Sequence, residues 1–264
     1  MTTTPLEVVH VGQSAIVLRD QVGHGTGNAL LVVTSEMSGL MPGGICLRAD
    51  DFRRIRNTIL SRELFGSVVL LDGWDGRSTT ADPVDLLLRY TPIPWKSVLV
   101  HELALHRVAF AGSVSSVMSP VPIRQSAPAF ARQAIAGRLR TETLRAMIGA
   151  GPGTTPSGDD IIVGVLAGLR VLGLGERSAE LSRRVTPLIP ATTAASRHYL
   201  SAAIEGRFGE HVHQLVAALA GGDSTERTLG SAADWGATSG IDLLVGLVTT
   251  LVTSLNSQSI ESAA

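Results

Sequence analysis

Two stretches 82 positions apart share one pattern, and they limit what this chain can fold into more than any other feature. Ser157-Gly158-x-Asp160-x-x-Val163-Gly164 lines up with Ser239-Gly240-x-Asp242-x-x-Val245-Gly246. Each copy reads as a Ser-Gly turn, an acid, and an apolar helix with a glycine one turn later. The first copy follows a loop dense in glycine and proline, Gly149 to Pro156. Gly149, Gly151, Gly153 and Gly158 leave backbone N–H groups uncovered and permit positive φ. Pro152 and Pro156 stiffen the turn by fixing φ. Asp159 and Asp160 fall in the first turn of the helix, where its dipole favours negative charge. Ser and Asp often cap helices, so one reading is a pair of capped, packed helices. The other is that the two loops face each other across one site.

Around this repeat the chain divides by character. Strand signals dominate early: Glu7–Leu18 split at Gly12, Asn28–Val33, Ile45–Leu47, Gly66–Leu71, Ser97–Val100 and Leu103–Phe110. Asp50 or Asp51 is a candidate cap for a helix through Phe52, Ile55 and Ile59, and Asp82 for a short helix beginning at Pro83. The Ser/Pro-rich stretch from 111 to 127 marks a boundary. Helical periodicity follows, with a start at Ser126, a central segment Ile161–Leu174, and amphipathic segments Glu176–Ile189, Thr192–Glu205, His211–Ala220 and Asp223–Ala233. The last helix runs over Asp242–Leu255. Gly164 and Gly168, four apart, suit a close helix crossing. The expectation is an α+β protein: a strand-rich N-terminal part (1–120) packed on a mainly helical C-terminal part (121–258), then a short tail (259–264).

Composition narrows the function. A formal net charge of −1 argues against general nucleic-acid binding. The longest apolar runs, Ile161–Leu169 and Leu243–Leu251, are too short to cross a bilayer, so no membrane role is expected. The N-terminal residues lack the pattern of a secretory signal. With Cys46 as the only cysteine there is no internal disulfide, which fits a cytoplasmic location. Cys46, beside Leu47 in a candidate strand, is expected to be a buried small hydrophobe. His101-Glu-Leu-Ala-Leu-His106 fails as a zinc motif, because the histidines are five apart rather than four. His211 and His213, two apart on a helix, do not share a face and read as solvated. His24 reads as an ordinary loop residue. Gly149–Asp160 lacks the lysine of a nucleotide-binding P-loop, and no Gly-x-Ser-x-Gly elbow exists.

The glycine loop has an internal tension. Free N–H groups at a helix start attract anions, while Asp159 and Asp160 repel them. One acid can turn away as a cap. A divalent cation can bridge acid and ligand; Mg²⁺ suits hard oxygen ligands, although no cofactor is firmly implied. Or a carboxylate can accept N–H bonds from an amide or ureido group while the loop amides hold the ligand's oxygens. The third resolution needs no metal.

The run Gly151-Pro-Gly-Thr-Thr-Pro-Ser-Gly-Asp-Asp-Ile-Ile-Val-Gly164 resembles the signature of the family of the AllH subunit of oxamate carbamoyltransferase, a bacterial ureide-catabolism enzyme. Thr193, Ser196, Tyr199, Leu200, Ala203, Gly206 and Phe208 are similar to a second family segment, and Ser239–Asp242 to a third. The likeness is strong over about Gly149–Gly246 and faint before it; Thr154-Thr155 stands where Leu-Thr is commoner. The resemblance implies carbamoyl transfer of the type oxalurate plus phosphate giving oxamate plus carbamoyl phosphate, with other transferase subunits as partners. It puts the Gly151, Gly153 and Gly158 amides on phosphate or a developing oxyanion. Asp159 or Asp160 would act as base or orient the carbamoyl NH₂. Thr155, Ser157, Ser239, Gly240 and Asp242 would complete the site, with Thr193 and Ser196 binding substrate and Arg132 or Arg138 taking its carboxylate. Two further readings stand beside it: a non-catalytic small-anion-binding or assembly subunit, and a Mg²⁺-dependent hydrolase.

Overall fold

The computed structural model describes residues 6–20, 30–63, 68–69, 85–91, 93, 122–221 and 225–261. They fall into two compact units, Met1–Leu86 and Leu87–Ala264. The first is built on a sheet and the second is helical, so the class is α+β.

In the first unit, β1 (Leu6–Val11), β2 (Ala15–Asp20) and β3 (Leu30–Ser35) run antiparallel in sequence order. The β1–β2 turn is the one the glycine at position 12 predicts, with Gly12 N–H donating to the Ala15 carbonyl. β4 (Gly44–Leu47) adds parallel to β3 at one edge, and the described pair Val68–Val69 forms β5 at the other. α1 (Ala49–Ser61) lays Phe52 and Ile59 on Leu6, Val8, Ile16, Leu18 and Val33. Alternate residues of β1 and β2 therefore supply one apolar face, as a period of two requires. Asp50 and Asp51 lie in the first turn rather than at the cap, which is Arg48. Cys46 is exposed, not buried: among the described strands β4 lies at the end of the sheet, and the neighbours of Cys46, Ile45 and Leu47, are the half-buried ones. His24, His101, His106, the helix expected at Asp82 and the strands expected at 97–110 lie outside the described residues.

The helical unit contains α2 (Pro122–Ala136), α3 (Thr141–Met147), α4 (Ser157–Val171), α5 (Gly175–Val185), α6 (Ala194–Ile204), α7 (Glu210–Leu219), α8 (Thr225–Ala233) and α9 (Ser239–Glu261). α2 starts four residues before Ser126 and carries Pro128 within it, so the Ser/Pro-rich stretch is partly helix. The segment expected to run from Glu176 to Ile189 changes at Thr186 into a 3₁₀ turn, Thr186–Ala191, where Pro187 and Pro190 remove the N–H groups an α-helix needs.

α4 is buried from Ser157 to Leu169, which makes it the central helix of this unit. It runs parallel to α9, and glycine sets their separation. A Cβ on Gly164 would stand 2.1 Å from the Leu243 carbonyl oxygen, and one on Gly246 would stand 2.2 Å from that of Ile161. Gly246 follows Gly164, and Leu243 follows Ile161, by the same 82 positions as the sequence repeat. The two contacts are thus one contact seen from either helix, and the repeat is an approximate two-fold in space. Gly168 faces Thr250 one turn further along. Parallel helices in this register bring both N-terminal ends together. Among the described residues, no helix is long and apolar enough to cross a membrane.

Candidate active site

The paired ends of α4 and α9 gather acids and hydroxyls. The Thr155 and Ser239 hydroxyls meet at 2.5 Å, closing the two Ser-Gly corners on each other. Both hydroxyls lie near enough to the Asp160 carboxyl to favour its charge, and Asp242 lies close enough to oppose it. Asp160 is 5% exposed and Asp242 0%. Each keeps one oxygen, Oδ2, with no hydrogen-bond partner among the described residues. Burial, and after it the Asp242 charge, raise the Asp160 pKa well above the usual carboxylate range; the two hydroxyls oppose the shift and Asp159 adds to it.

Asp242 has a counter-ion that the sequence reading missed. Arg124 Nε donates to its Oδ1 at 2.6 Å, and both side chains are buried. Arg124 sits on α2 in line with the buried Ala127, Ala131 and Ala134, spaced as one helical face. The signal was there, an arginine at a core position, but it lay in the Ser/Pro-rich stretch that marks the boundary. Arg132 and Arg138 are exposed, so the guanidinium at the acids is Arg124.

Asp159 has a different task from its neighbour. Its Oδ1 accepts the Gly149 N–H at 2.9 Å and its Oδ2 accepts the Thr192 hydroxyl at 2.5 Å. With both oxygens engaged, it ties the glycine loop to the segment before α6. Thr193 caps α6, accepting the Ser196 N–H at 3.2 Å and donating its hydroxyl to the Thr154 carbonyl at 2.5 Å. The loop is therefore anchored at Gly149 and at Thr154. Between those points Gly151 and Gly153 are exposed and adopt φ of 118° and 96°, which only glycine holds without strain. Gly158 is not such a position. It is helical, its N–H donates to the Ala150 carbonyl, and a Cβ there would stand 1.9 Å from the Met147 carbonyl oxygen. Close approach explains that glycine, and its amide is already in use. Gly240 repeats the role against the Ala232 carbonyl, also at 1.9 Å. Ser157 is the first residue of α4 and is 1% exposed.

α6 supplies a third wall. Ser196 and Tyr199 are one helical turn apart and both buried, and Ser196 Oγ has no partner among the described residues. Burial, then the Asp160 charge, push the Tyr199 phenol above its ordinary pKa. Tyr199 stands edge-on to Trp235 at 5.7 Å, and Trp235 stacks on His211 at 5.2 Å. His211 is buried rather than solvated, because α7 turns it inward and leaves His213 half-exposed. Among the described residues no group of three or more His, Cys, Asp or Glu side chains is arranged to hold a metal ion.

The arrangement offers one buried acid with a raised pKa, one buried acid paired with a cation, and an exposed glycine loop leading into α4. Two acids with different surroundings thus stand side by side where two helix dipoles point. Residues 147–251, which include the loop and both acids, match a family model described as oxamate carbamoyltransferase subunit AllH. No solved structure matches the chain.

Proposed function

We propose, from the premise of that AllH match, that this chain takes part in carbamoyl transfer on a small carbamoyl or ureido compound, as one subunit of a cytoplasmic transferase. The observation that carries the reading is the meeting of Asp160 and Asp242 at the joined ends of α4 and α9, each with an unpartnered oxygen. A buried carboxylate oxygen without a donor is costly and is relieved by a ligand N–H. A ureido or carbamoyl group presents N–H beside C=O, which suits an acceptor beside a protonated acid.

In the degradative direction a phosphate oxygen attacks the ureido carbon of oxalurate. The bond from that carbon to the oxamate nitrogen breaks, giving carbamoyl phosphate and oxamate. The nitrogen gains the proton that the phosphate gives up, and Asp160 is the group assigned to relay it. Asp242 orients the NH₂, and the exposed Gly151 and Gly153 amides receive the phosphate. Ser196 lines the substrate side, and Asp159 and Thr193 hold the loop in place.

Isothermal titration with carbamoyl phosphate, oxamate and oxalurate, with and without candidate partner subunits, tests the reading. Binding of at least one, weakened tenfold or more by Asp160→Asn with unchanged melting, is the expected result; silence from all three overturns it. The engagement of both Asp159 oxygens within the fold favours a second reading, a non-catalytic anion-binding or assembly subunit. In that case Asp160→Asn lowers the melting temperature and leaves turnover by the assembly intact.

A further inference from the structure

Asp160 and Asp242 occupy equivalent places in the repeat, yet their surroundings differ. Asp242 Oδ1 receives Arg124 Nε at 2.6 Å within the buried interior. Among the described residues Asp160 has no ion-pair partner, and the polar groups that favour its charge are two neutral hydroxyls, Thr155 and Ser239. The groups that face Asp160 are Asp159 on its own helix, Asp242 on α9, Thr155 on the loop and Tyr199 on α6, none of them cationic. Asp159 already accepts two hydrogen bonds within the fold. Two buried carboxylates that act on each other's charge, only one of them ion-paired, do not both ionise.

We infer that Arg124 is the positioning residue that decides which of the two acids keeps a proton, holding Asp242 as the permanent carboxylate and leaving Asp160 as the member that carries, gives up and recovers one. The inference deepens the reading of this pair as the reacting centre. It acts through Asp242, not through contact with substrate. Asp242 presents only an acceptor to the ligand and Asp160 presents an O–H. In the cleavage direction the Asp160 proton passes to the departing nitrogen and the phosphate proton restores it, so the balance closes with no further reagent. The upward shift of the Asp160 pKa by burial and by Asp242 agrees with this division.

Infrared difference spectroscopy across a pH titration reads the division directly on the full chain without ligand. The expected spectrum shows one protonated carboxyl band at neutral pH that Asp160→Asn removes. Asp242→Asn is expected to move the midpoint of that band down by about one pH unit or more, because the repelling charge is gone and Arg124 is released. Arg124→Lys is expected to keep the wild-type pattern. In an Arg124→Met background, Asp160→Asn is expected to leave a protonated band, now from Asp242. Absence of the band in the wild type, or its survival in Asp160→Asn with Arg124 present, overturns the inference. Those two results come from variants that keep Arg124, so they decide the matter even if Arg124→Met does not fold. No substrate enters the measurement: failure to bind ureido compounds would sink the proposed function and leave this result standing.

Discussion

His211 carries both ring nitrogens into the interior, where neither finds a partner among the described residues. Burial first, and the nearby His213 second, lower its pKa from 6.5 to about 4. The folded state therefore holds the ring neutral while the unfolded chain protonates it. Its contribution to stability is whole above pH 6.5 and is lost as the pH falls towards about 4. The full loss is of the order of 3 kcal/mol. His211→Phe, which keeps a ring against Trp235, is expected to flatten this limb in a series of thermal melts. Melting curves of variant and wild type that fall in parallel over that range would refute the assignment. At this scale the repeat made Asp160, Asp242, Ser157 and Ser239 legible, because their spacing survives translation along the chain. Arg124 and His211 were hidden for one reason: each is a polar residue on the buried face of a helix, and type alone argues for the wet face.

Between elements, the separation of α4 and α9 rests on Gly164 and Gly246. A methyl at either position meets a backbone carbonyl, which cannot rotate away, so the helices must part. Gly164→Ala and Gly246→Ala are each expected to cost about 1–3 kcal/mol, and by similar amounts, since the two contacts mirror each other. Gly230→Ala is the control. Nothing lies within 4 Å of a Cβ there, the residue is inside α8, and the change is expected to stabilise by up to about 1 kcal/mol. Chemical denaturation of the three variants checks this, and a neutral Gly164→Ala would contradict the close crossing. The four-residue glycine spacing announced the crossing from the sequence, but not its partner, because contacts so far apart along the chain leave no local trace. The 3₁₀ turn at Thr186–Ala191 and the early start of α2 escaped notice because prolines read as breakers even where a helix turn accepts them.

At the scale of the molecule, each unit has its own apolar cluster: Leu6, Val8, Ile16 and their neighbours in one, and the α4–α9 core in the other. Calorimetry is expected to resolve two unfolding steps, the helical unit giving the larger enthalpy because it holds more residues. A ligand of the acid pair at about a hundred times its Kd should stabilise that step alone, by about 2.7 kcal/mol. A shift confined to the smaller step would remove the site from the helical unit. The α+β class was legible from the change of hydrophobic period along the chain.

The approximate two-fold relating α4 to α9 has one more effect. Twin acids alone would receive an unsymmetrical guest in either of two headings, and the proposed reaction needs one of them. A lone guanidinium beside one twin gives the pair a head and a tail.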